Sequence, residues 1–350
     1  MLVSWTLRTD PEIDNRLSRT HRRPDKNPAQ THHETNDTTD DSTERRRQMT
    51  AEIEDGVLNG NAVGDRIRGE LETCITSLAD EGVTPGLATV LMSDDPASET
   101  YVSMKQAACE EIGIESFHHE LSTDAPAKEL FQTVDALNDD PAVHGILVQM
   151  PVPDHVDNQR VLRSIDPIKD VDGFHPENVG RLVAGDARYK PATPHGVQKL
   201  LEAADVETEG KEAVVLGRSD IVGKPMANLL IQKAPGGNAT TTVCHSRTDN
   251  LAEKSRNADI LIAAVGYPEL VDGSMVKEGA TVIDVGVNRV DADTEKGYKL
   301  VGDVAFESAK EKADVITPVP GGVGPMTITM LLYNTVKAAN LQEGVEVVLP

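Results

Sequence analysis

The stretch DPASETYVSMKQAACEEIG, from Asp95 to Gly113, is the segment around which the fold can be read. Pro96 suits the first turn of a helix, where its missing N–H is not needed, and Gly113 suits the left-handed end of one. Tyr101 and Lys105 are four residues apart, so they share one face of this predicted helix. A phenol and an amine on one face can hold and polarise a small polar substrate. An ordinary surface helix with a solvated lysine explains the same residues.

Apolar runs and helical segments alternate on both sides of this helix. The pattern predicts an α/β fold with a mostly parallel sheet. Gln149 falls at the C-terminal end of the run GILVQM, where open α/β sheets place their ligands. The predicted strands in this half are 87–92, 116–120 and 145–150, and the predicted helices are 61–80 and 127–137.

Two loops add candidate residues. PIKDVDGF, residues 167–174, is expected to bring Lys169, Asp170 and Asp172 close together, although turn chemistry explains the Asp-Gly pair without any function. TPVPGGVGPMT, residues 317–327, holds glycines between prolines, so its backbone can approach a flat ligand closely.

The second half opens with a strand and a glycine turn, EAVVLGRSDIVGKPMANLL, residues 212–230. Gly217 and Gly223 fit a dinucleotide-binding turn, but Ser219 stands where a second glycine is expected. The spacing to Gly223 is one residue too long for a P-loop, and Pro225 replaces its Ser or Thr. Alone, this turn is a weak signal.

The end of the next predicted strand, TTVCHSRT, bears on cofactor choice. NAD-binding folds place an acidic residue there to hold the ribose 2′-hydroxyl. This chain has Ser246 and Arg247 instead, with Arg218 in the preceding turn. Guanidinium groups offer forked donors to phosphate oxygens, so NADP is favoured over NAD. The alternative is that these arginines only offset an acidic surface.

Composition limits the remaining possibilities. The 350 residues allow about two domains, and the net charge of −24 argues against nucleic acid and anionic membranes as partners. The acidic surface and few aromatics favour adaptation to concentrated salt over an ordinary acidic protein. The three cysteines form neither a disulfide framework nor a zinc spacing, which favours reduced thiols in a cytosol, and no metal site is predicted.

Residues 1–48 differ from the rest. They carry nine basic and nine acidic residues and little apolar pattern, so the net charge of −24 belongs to residues 49–350. We interpret them as a non-native or upstream-translated extension, with Met49 as the functional start. A genuine disordered tail is the alternative.

In combination, YVSMK, GILVQMPVP, KDVDGF, GRSDIVGKP, VCHSRT, DVGVN and TPVPGGVGPMT resemble, in order, the bifunctional methylenetetrahydrofolate dehydrogenase/methenyltetrahydrofolate cyclohydrolase family of FolD type. The resemblance covers about Met49 to Asn340. It implies a folate-binding catalytic domain over 49–196, a Rossmann-like NADP-binding domain over 197–325, and a C-terminal helix, 326–340, that returns to the first domain. It also implies a cytoplasmic homodimer.

The same resemblance implies roles for individual residues. Lys105 is the expected catalytic lysine, Tyr101 the stacking tyrosine, Gln149 the partner of the lysine, and Asp172 the pterin anchor. The expected NADP contacts are Gly217, Arg218, Ser219, Ser246 and Val287, and the residues at the strand end add Arg247. The expected folate contacts, beyond the four catalytic residues, are Val148, Met150, Pro320, Gly321, Gly322, Val323 and Gly324.

The expected function is NADP-dependent oxidation of 5,10-methylenetetrahydrofolate and hydrolysis of the methenyl product to 10-formyltetrahydrofolate. A dehydrogenase with weak or no cyclohydrolase activity is one alternative, and a non-catalytic nucleotide-binding regulator is another. Residues alone leave open whether a modified archaeal-type pterin is the carrier.

Overall fold

The computed structural model describes residues 52–294 and 297–350. All of the described residues belong to one compact unit. The hypotheses on residues 1–48 lie outside the described residues and stay predictions.

The described chain contains helices and strands in alternation, which confirms the α/β prediction. The strands are β1 (Ile53–Glu54), β2 (Val57–Leu58), β3 (Gly86–Leu91), β4 (Glu115–Glu120), β5 (Gly145–Val148), β6 (Glu212–Leu216), β7 (Thr240–Cys244), β8 (Ile260–Ala263), β9 (Ala280–Asp284), β10 (Asn288–Asp291), β11 (Tyr298–Val301) and β12 (Ala313–Ile316). The helices are α1 (Gly60–Asp80), α2 (Pro96–Ile112), α3 (Ala127–Asp139), α4 (Asn158–Ser164), α5 (Pro176–Ala184), α6 (Ala192–Ala203), α7 (Gly223–Leu230), α8 (Leu251–Arg256), α9 (Phe306–Lys310) and α10 (Val323–Glu343), with a 3₁₀ turn at Gly273–Met275.

The first half forms a three-stranded parallel sheet in the order β4-β3-β5. Its central strand β3 is buried along its whole length, as expected for a strand that is covered on both faces. Val90 pairs with Val148, which aligns the carboxyl ends of β3 and β5. Gln149 therefore follows directly after the sheet, at the edge where α/β sheets place their ligands.

The second half forms a seven-stranded sheet in the order β1-β2-β12-β9-β8-β6-β7. All neighbours pair in parallel except β1 and β2, which form an antiparallel hairpin. Asp55 and Gly56 both have positive φ, 49° and 75°, as a tight hairpin turn requires. The hairpin pairs Val57 with Ile316 of β12, so an N-terminal segment completes the C-terminal sheet.

The last helix, α10, packs against α1 and α6. The side-chain amide of Asn334 donates to the carbonyls of Val171 (2.7 Å) and Lys190 (2.9 Å). These bonds tie α10 to the loop that carries Asp172, so the helix returns to the first half as predicted. The predicted domain boundary between residues 196 and 197 falls inside α6 and stays a prediction.

The structure also differs from the sequence predictions. The β1–β2 and β10–β11 hairpins and the helices α4 and α5 were not predicted, because each is too short to show a clear period. The strand predicted over 241–248 ends at Cys244, and the last helix extends to Glu343.

Candidate active site

Lys105 and Gln149 form the centre of the site. Helix α2 begins as predicted, with the Asp95 carboxylate accepting the Ala97 backbone N–H at 3.1 Å. It ends at Gly113, whose φ of 86° is left-handed. On this helix the Lys105 amine donates a hydrogen bond of 3.0 Å to Oε1 of Gln149. The structure therefore brings together Lys105, predicted on a helix face, and Gln149, predicted at the end of a strand.

Gln149 is held by two further hydrogen bonds. Its backbone N–H donates to the carbonyl of Val90 at 2.8 Å, and its side-chain Nε2 donates to the carbonyl of Met150 at 2.9 Å. The second bond orients the amide so that its oxygen faces Lys105. Val148 before it is buried, and Met150 after it is partly buried.

Asp172 supplies a negative charge beside Lys105. Burial raises the pKa of its carboxyl to about 6, and the nearby Lys105 cation opposes that rise. Burial lowers the pKa of the Lys105 amine, which the charge of Asp172 partly offsets. Both groups are thus shifted toward their neutral forms, as at sites that transfer protons. Tyr101, one turn earlier on α2, is 43% exposed and available to a ligand.

The other two charges of the 167–174 loop have structural contacts. Asp170 is buried and accepts hydrogen bonds of 2.8 Å from the His175 backbone N–H and the Asn178 amide. The expectation that Lys169 clusters with Asp170 and Asp172 is corrected, because its amine donates to the carbonyls of Leu137 (3.1 Å) and Asp140 (2.7 Å) at the end of α3. A lysine that satisfies helix-end carbonyls is a capping residue.

The glycine loop before α10 is fixed by close backbone contact with α1. Gly60 donates its N–H to the carbonyl of Gly321 at 2.8 Å. A Cβ at Gly60 would lie 1.8 Å from the carbonyl oxygen of Gly322, so no larger residue fits. Gly321 has a φ of 99°. Of the proposed folate contacts, Pro320–Gly322 thus lie on a loop of defined shape, and Val323 and Gly324 lie in the first turn of α10.

The glycine turn after β6 depends on Gly217. Its φ is 117°, and a Cβ there would lie 2.1 Å from the carbonyl oxygen of Ala264. Ser219, in place of a second glycine, accepts the N–H groups of Val222 (3.1 Å) and Gly223 (3.3 Å). The hydroxyl of Ser219 therefore accepts backbone N–H groups at the start of α7 that would otherwise have no partner within the helix.

Arg218, Ser246 and Arg247 follow the ends of the neighbouring strands β6 and β7. All three are exposed, and within residues 52–294 and 297–350 neither guanidinium has an ion-pair partner. Two unpaired cations beside a glycine turn suit a phosphate group. Val287 follows β9 and is 46% exposed.

Sequence reasoning missed two buried carboxylates, Asp284 and Asp303. Asp284 ends β9, and Asp303 follows β11. Burial, with a smaller contribution from the charge of Asp303, raises the pKa of Asp284 to about 7. The sequence signal for these carboxylates was an aspartate at the end of an apolar run. Asp284 begins the motif DVGVN, and Asp303 lies in GDVAF.

Two absences apply to the described part of the chain. It contains no group of three or more His, Cys, Asp or Glu side chains arranged to hold a metal ion. Its helices include none that is both long and apolar enough to cross a membrane.

Comparisons with known proteins bear on both halves. A family profile described as "Tetrahydrofolate dehydrogenase/cyclohydrolase, catalytic domain" matches residues 58–172. A second, "Tetrahydrofolate dehydrogenase/cyclohydrolase, NAD(P)-binding domain", matches residues 191–343. Among solved structures, the bifunctional FolD enzyme of Campylobacter jejuni is 48% identical with a TM-score of 0.76, over 81% of this chain and 98% of that one. The FolD of Trypanosoma brucei, complexed with NADP cofactor and inhibitor, is 41% identical with a TM-score of 0.78, over 83% and 98%.

Similarity is higher among curated sequences. The bifunctional protein FolD 2 of Haloarcula marismortui is 74% identical over 294 residues, which are 84% of this chain and 99% of that protein. The bifunctional protein FolD of Halobacterium salinarum is 61% identical over the same shares. The chain belongs to the tetrahydrofolate dehydrogenase/cyclohydrolase family, as its motifs predicted.

Proposed function

We propose that Tyr101, Lys105, Gln149 and Asp172 form the folate site of a bifunctional enzyme. The protein is an NADP-dependent methylenetetrahydrofolate dehydrogenase and methenyltetrahydrofolate cyclohydrolase of folate one-carbon metabolism. Its relatives are named as bifunctional, so neither a dehydrogenase lacking cyclohydrolase activity nor a non-catalytic regulator is favoured. The main observation that supports these residue roles is the 3.0 Å hydrogen bond between Lys105 and Gln149, with the charge of Asp172 nearby.

For the oxidation, bound NADP would supply the acceptor for the hydride that leaves the methylene carbon of the folate. The task of the chain is to hold the folate in a reactive orientation. In our proposal Asp172 accepts hydrogen bonds from the pterin, and Tyr101 stacks on it. The segments around Gln149 and Pro320–Gly324 bound the ring on other sides. Tyr101 is exposed and Asp172 is ionised above pH about 6, so both are ready for these contacts.

In the hydrolysis, water adds to the methenyl carbon, and the bond from that carbon to N5 then breaks. The water loses both of its protons as its oxygen becomes the formyl oxygen. One proton is taken up by N5, and the other leaves to solvent, which removes the positive charge of the methenyl substrate. Lys105 is the proposed group that polarises the water or accepts its proton. Burial lowers its pKa, which increases the neutral fraction that can act as a base. Gln149 accepts one amine hydrogen and so fixes where the amine points.

The residues proposed to bind NADP lie at the carboxyl ends of strands in the seven-stranded sheet. Gly217 and Ser219 shape the turn. Arg218 and Arg247, which have no ion-pair partner in the described part of the chain, suit the 2′-phosphate of NADP together with the hydroxyl of Ser246. Val287 is proposed to contact the nicotinamide half. The residues that follow β6 and β7 directly include arginine and serine where NAD-binding folds have an acidic residue, which fits NADP better than NAD.

Three finer statements are also proposals. The protein acts as a homodimer, to which exposed apolar side chains such as Val183 and Ile231 can contribute. It resides in the cytoplasm, in keeping with Cys74, Cys109 and Cys244 being free thiols. Its 10-formyl product can serve formyl transfer in purine biosynthesis.

One assay tests the assignment. Purified protein is given 5,10-methylenetetrahydrofolate and NADP in low and in molar salt, and NADPH formation and methenyl-folate hydrolysis are both followed. We expect both activities, with more in molar salt, because relatives of this acidic chain come from Haloarcula and Halobacterium. NADPH formation without methenyl-folate hydrolysis would instead identify a monofunctional dehydrogenase.

A further inference from the structure

Two buried carboxylates lie behind the proposed nicotinamide-binding edge of the seven-stranded sheet. Asp303 is fully buried and Asp284 is 3% exposed. Neither has an ion-pair partner within residues 52–294 and 297–350. Buried charges without a counterion require hydrogen-bond donors, because desolvation is otherwise too costly. The donors around this pair show which parts of the chain the carboxylates hold.

Asp303 holds the loop that follows β8. Its Oδ2 accepts the backbone N–H groups of Val265 (2.6 Å) and Gly266 (3.0 Å). Its Oδ1 accepts the N–H of Tyr267 (3.0 Å) and the side-chain amide of Asn288 (2.9 Å). One carboxylate thus joins three consecutive peptides after β8 to the start of β10.

Asp284 holds Asp303 in turn. Its Oδ1 accepts the backbone N–H groups of Gly286 (3.1 Å) and Asp303 (2.9 Å), and its Oδ2 accepts that of Val304 (2.9 Å). Its own N–H donates to Thr317 Oγ1 at 2.8 Å, at the start of the glycine loop proposed for folate. The network therefore connects the loops after β8, β9 and β11 with the beginning of the 317–327 segment.

Two glycines make room for these carboxylates. A Cβ at Gly302 would lie 1.8 Å from Oδ2 of Asp284, and a Cβ at Gly286 would lie 2.2 Å from the carboxyl carbon of Asp303. Glycine at both positions therefore allows the two carboxylates to approach the backbone this closely.

The loops held in this way present apolar side chains to solvent. Tyr267 is 63% exposed and Val287 is 46% exposed, although the peptides beside them are bonded to buried acids. Both follow carboxyl ends of parallel strands, β8 and β9, where such sheets place their ligands. Exposed apolar groups on an internally fixed backbone suit the face of a flat ring.

We propose that Asp284 and Asp303 are positioning residues that fix the 265–267 and 285–288 loops as a preformed edge for the nicotinamide half of NADP. The inference rests on the proposed contact of Val287 with the cofactor. The pair does not touch the reacting atoms. It acts by removing the cost of ordering two loops when NADP binds and hydride transfer takes place.

The direct test is Asp303→Asn, with Asp291→Asn as the matched control on the exposed face of β10. The amide replaces one acceptor oxygen by a donor, so two of the four donors to Asp303 lose their partner. We expect the NADPH dissociation constant, measured by fluorescence titration, to rise by at least about tenfold. Dehydrogenase kcat/KM falls by a similar factor, while methenyl-folate hydrolysis and the control variant stay within about twofold of the parent.

Asn288→Ala is a milder second variant, in case Asp303→Asn folds poorly. It removes one side-chain donor and leaves the three backbone donors, so a smaller loss of NADPH affinity is expected in the same direction. Unchanged NADPH affinity in both variants would overturn the proposal. A parallel fall of both activities with the melting temperature would also overturn it, because that result indicates a general structural role. NADPH titration reports on the loops even if the assigned folate reaction were wrong, so the two failures are distinguishable.

Discussion

The Lys105 amine lies 3.0 Å from Oε1 of Gln149, and this contact joins α2 to the carboxyl end of β5 across 44 residues of sequence. The amide of Gln149 is oriented by its bond to the Met150 carbonyl, so it presents an acceptor and no donor to the amine. A neutral acceptor holds the lysine in place without adding a negative charge that would raise its pKa. Burial lowers the pKa of the Lys105 amine and so favours loss of its proton, while the charge of Asp172 partly offsets this.

Lys105→Met is expected to abolish the cyclohydrolase reaction while preserving side-chain length and packing. The variant removes the proposed base, so methenyl-folate hydrolysis falls by at least about a hundredfold, on the usual scale of general catalysis. Dehydrogenase activity falls less, because hydride transfer depends mainly on positioning. Lys128→Met, at an exposed position on α3, is the control for loss of one positive charge. Hydrolysis within a few-fold of the parent would contradict the role of Lys105.

Asp172→Asn separates function from stability. The folded carboxyl has a pKa of about 6 against a usual 3.8, so the native state binds its proton more tightly than the unfolded chain. By linkage, this group lowers stability progressively as pH rises from about 4 to 6. At neutral pH the variant no longer buries a charge, and we expect an equal or higher melting temperature than the parent. Its KM for the folate substrate rises at least about tenfold, because an acceptor is lost.

The pH dependence of the parent enzyme checks the same assignment. Folate binding by the parent weakens as pH falls through about 6, where Asp172 takes up a proton. The KM of Asp172→Asn lacks that change. A variant that is both strongly destabilised at neutral pH and normal in folate KM would show that the carboxylate is structural.

Arg218→Ala is expected to impair NADP more than NAD. Arg218 is exposed, and its guanidinium has no hydrogen bond or ion pair among the described residues, so the substitution removes none. Only NADP loses a phosphate partner, so its KM rises by about tenfold or more while that for NAD changes little. Arg163→Ala, an exposed arginine on α4, controls for the general effect of one positive charge. Equal losses for both cofactors would refute the assignment.

The central part of this site could be predicted because it follows local rules. The helical period places Tyr101 and Lys105 on one face, and the parallel sheet places Gln149 at its carboxyl edge. The Asp284–Asp303 network could not be predicted in the same way. Most of its hydrogen bonds join groups that are 15 to 38 residues apart, and each aspartate alone resembles an ordinary turn residue.

The β1–β2 hairpin illustrates the same limit. Its Asp-Gly turn was visible in the sequence, but two-residue strands have no measurable alternation. Pairing with β12 is a contact between the two ends of the described chain, which no local pattern encodes. Lys169 is a case in which a local pattern misled the prediction. It is adjacent to Asp170 in sequence, but its amine donates to carbonyls at the end of α3 instead.

His195 is expected to make the fold sensitive to acid. It is 5% exposed, its ring contacts Tyr333 edge to face at 5.0 Å, and burial together with the charges of Lys190, Lys199 and Lys337 lowers its pKa well below 6.5. As pH falls below about 6.5, His195 is protonated in the unfolded chain but stays neutral in the native state. Protonation therefore stabilises the unfolded chain, so the free energy of unfolding is highest above that pH and decreases below it. His195→Phe keeps a ring against Tyr333 and cannot be protonated. Melting curves between pH about 7.5 and 5.5 in molar salt are therefore expected to show the variant gaining a few degrees relative to the parent as pH falls. Two melting-temperature profiles that remain parallel over this range would show that His195 does not govern the acid response.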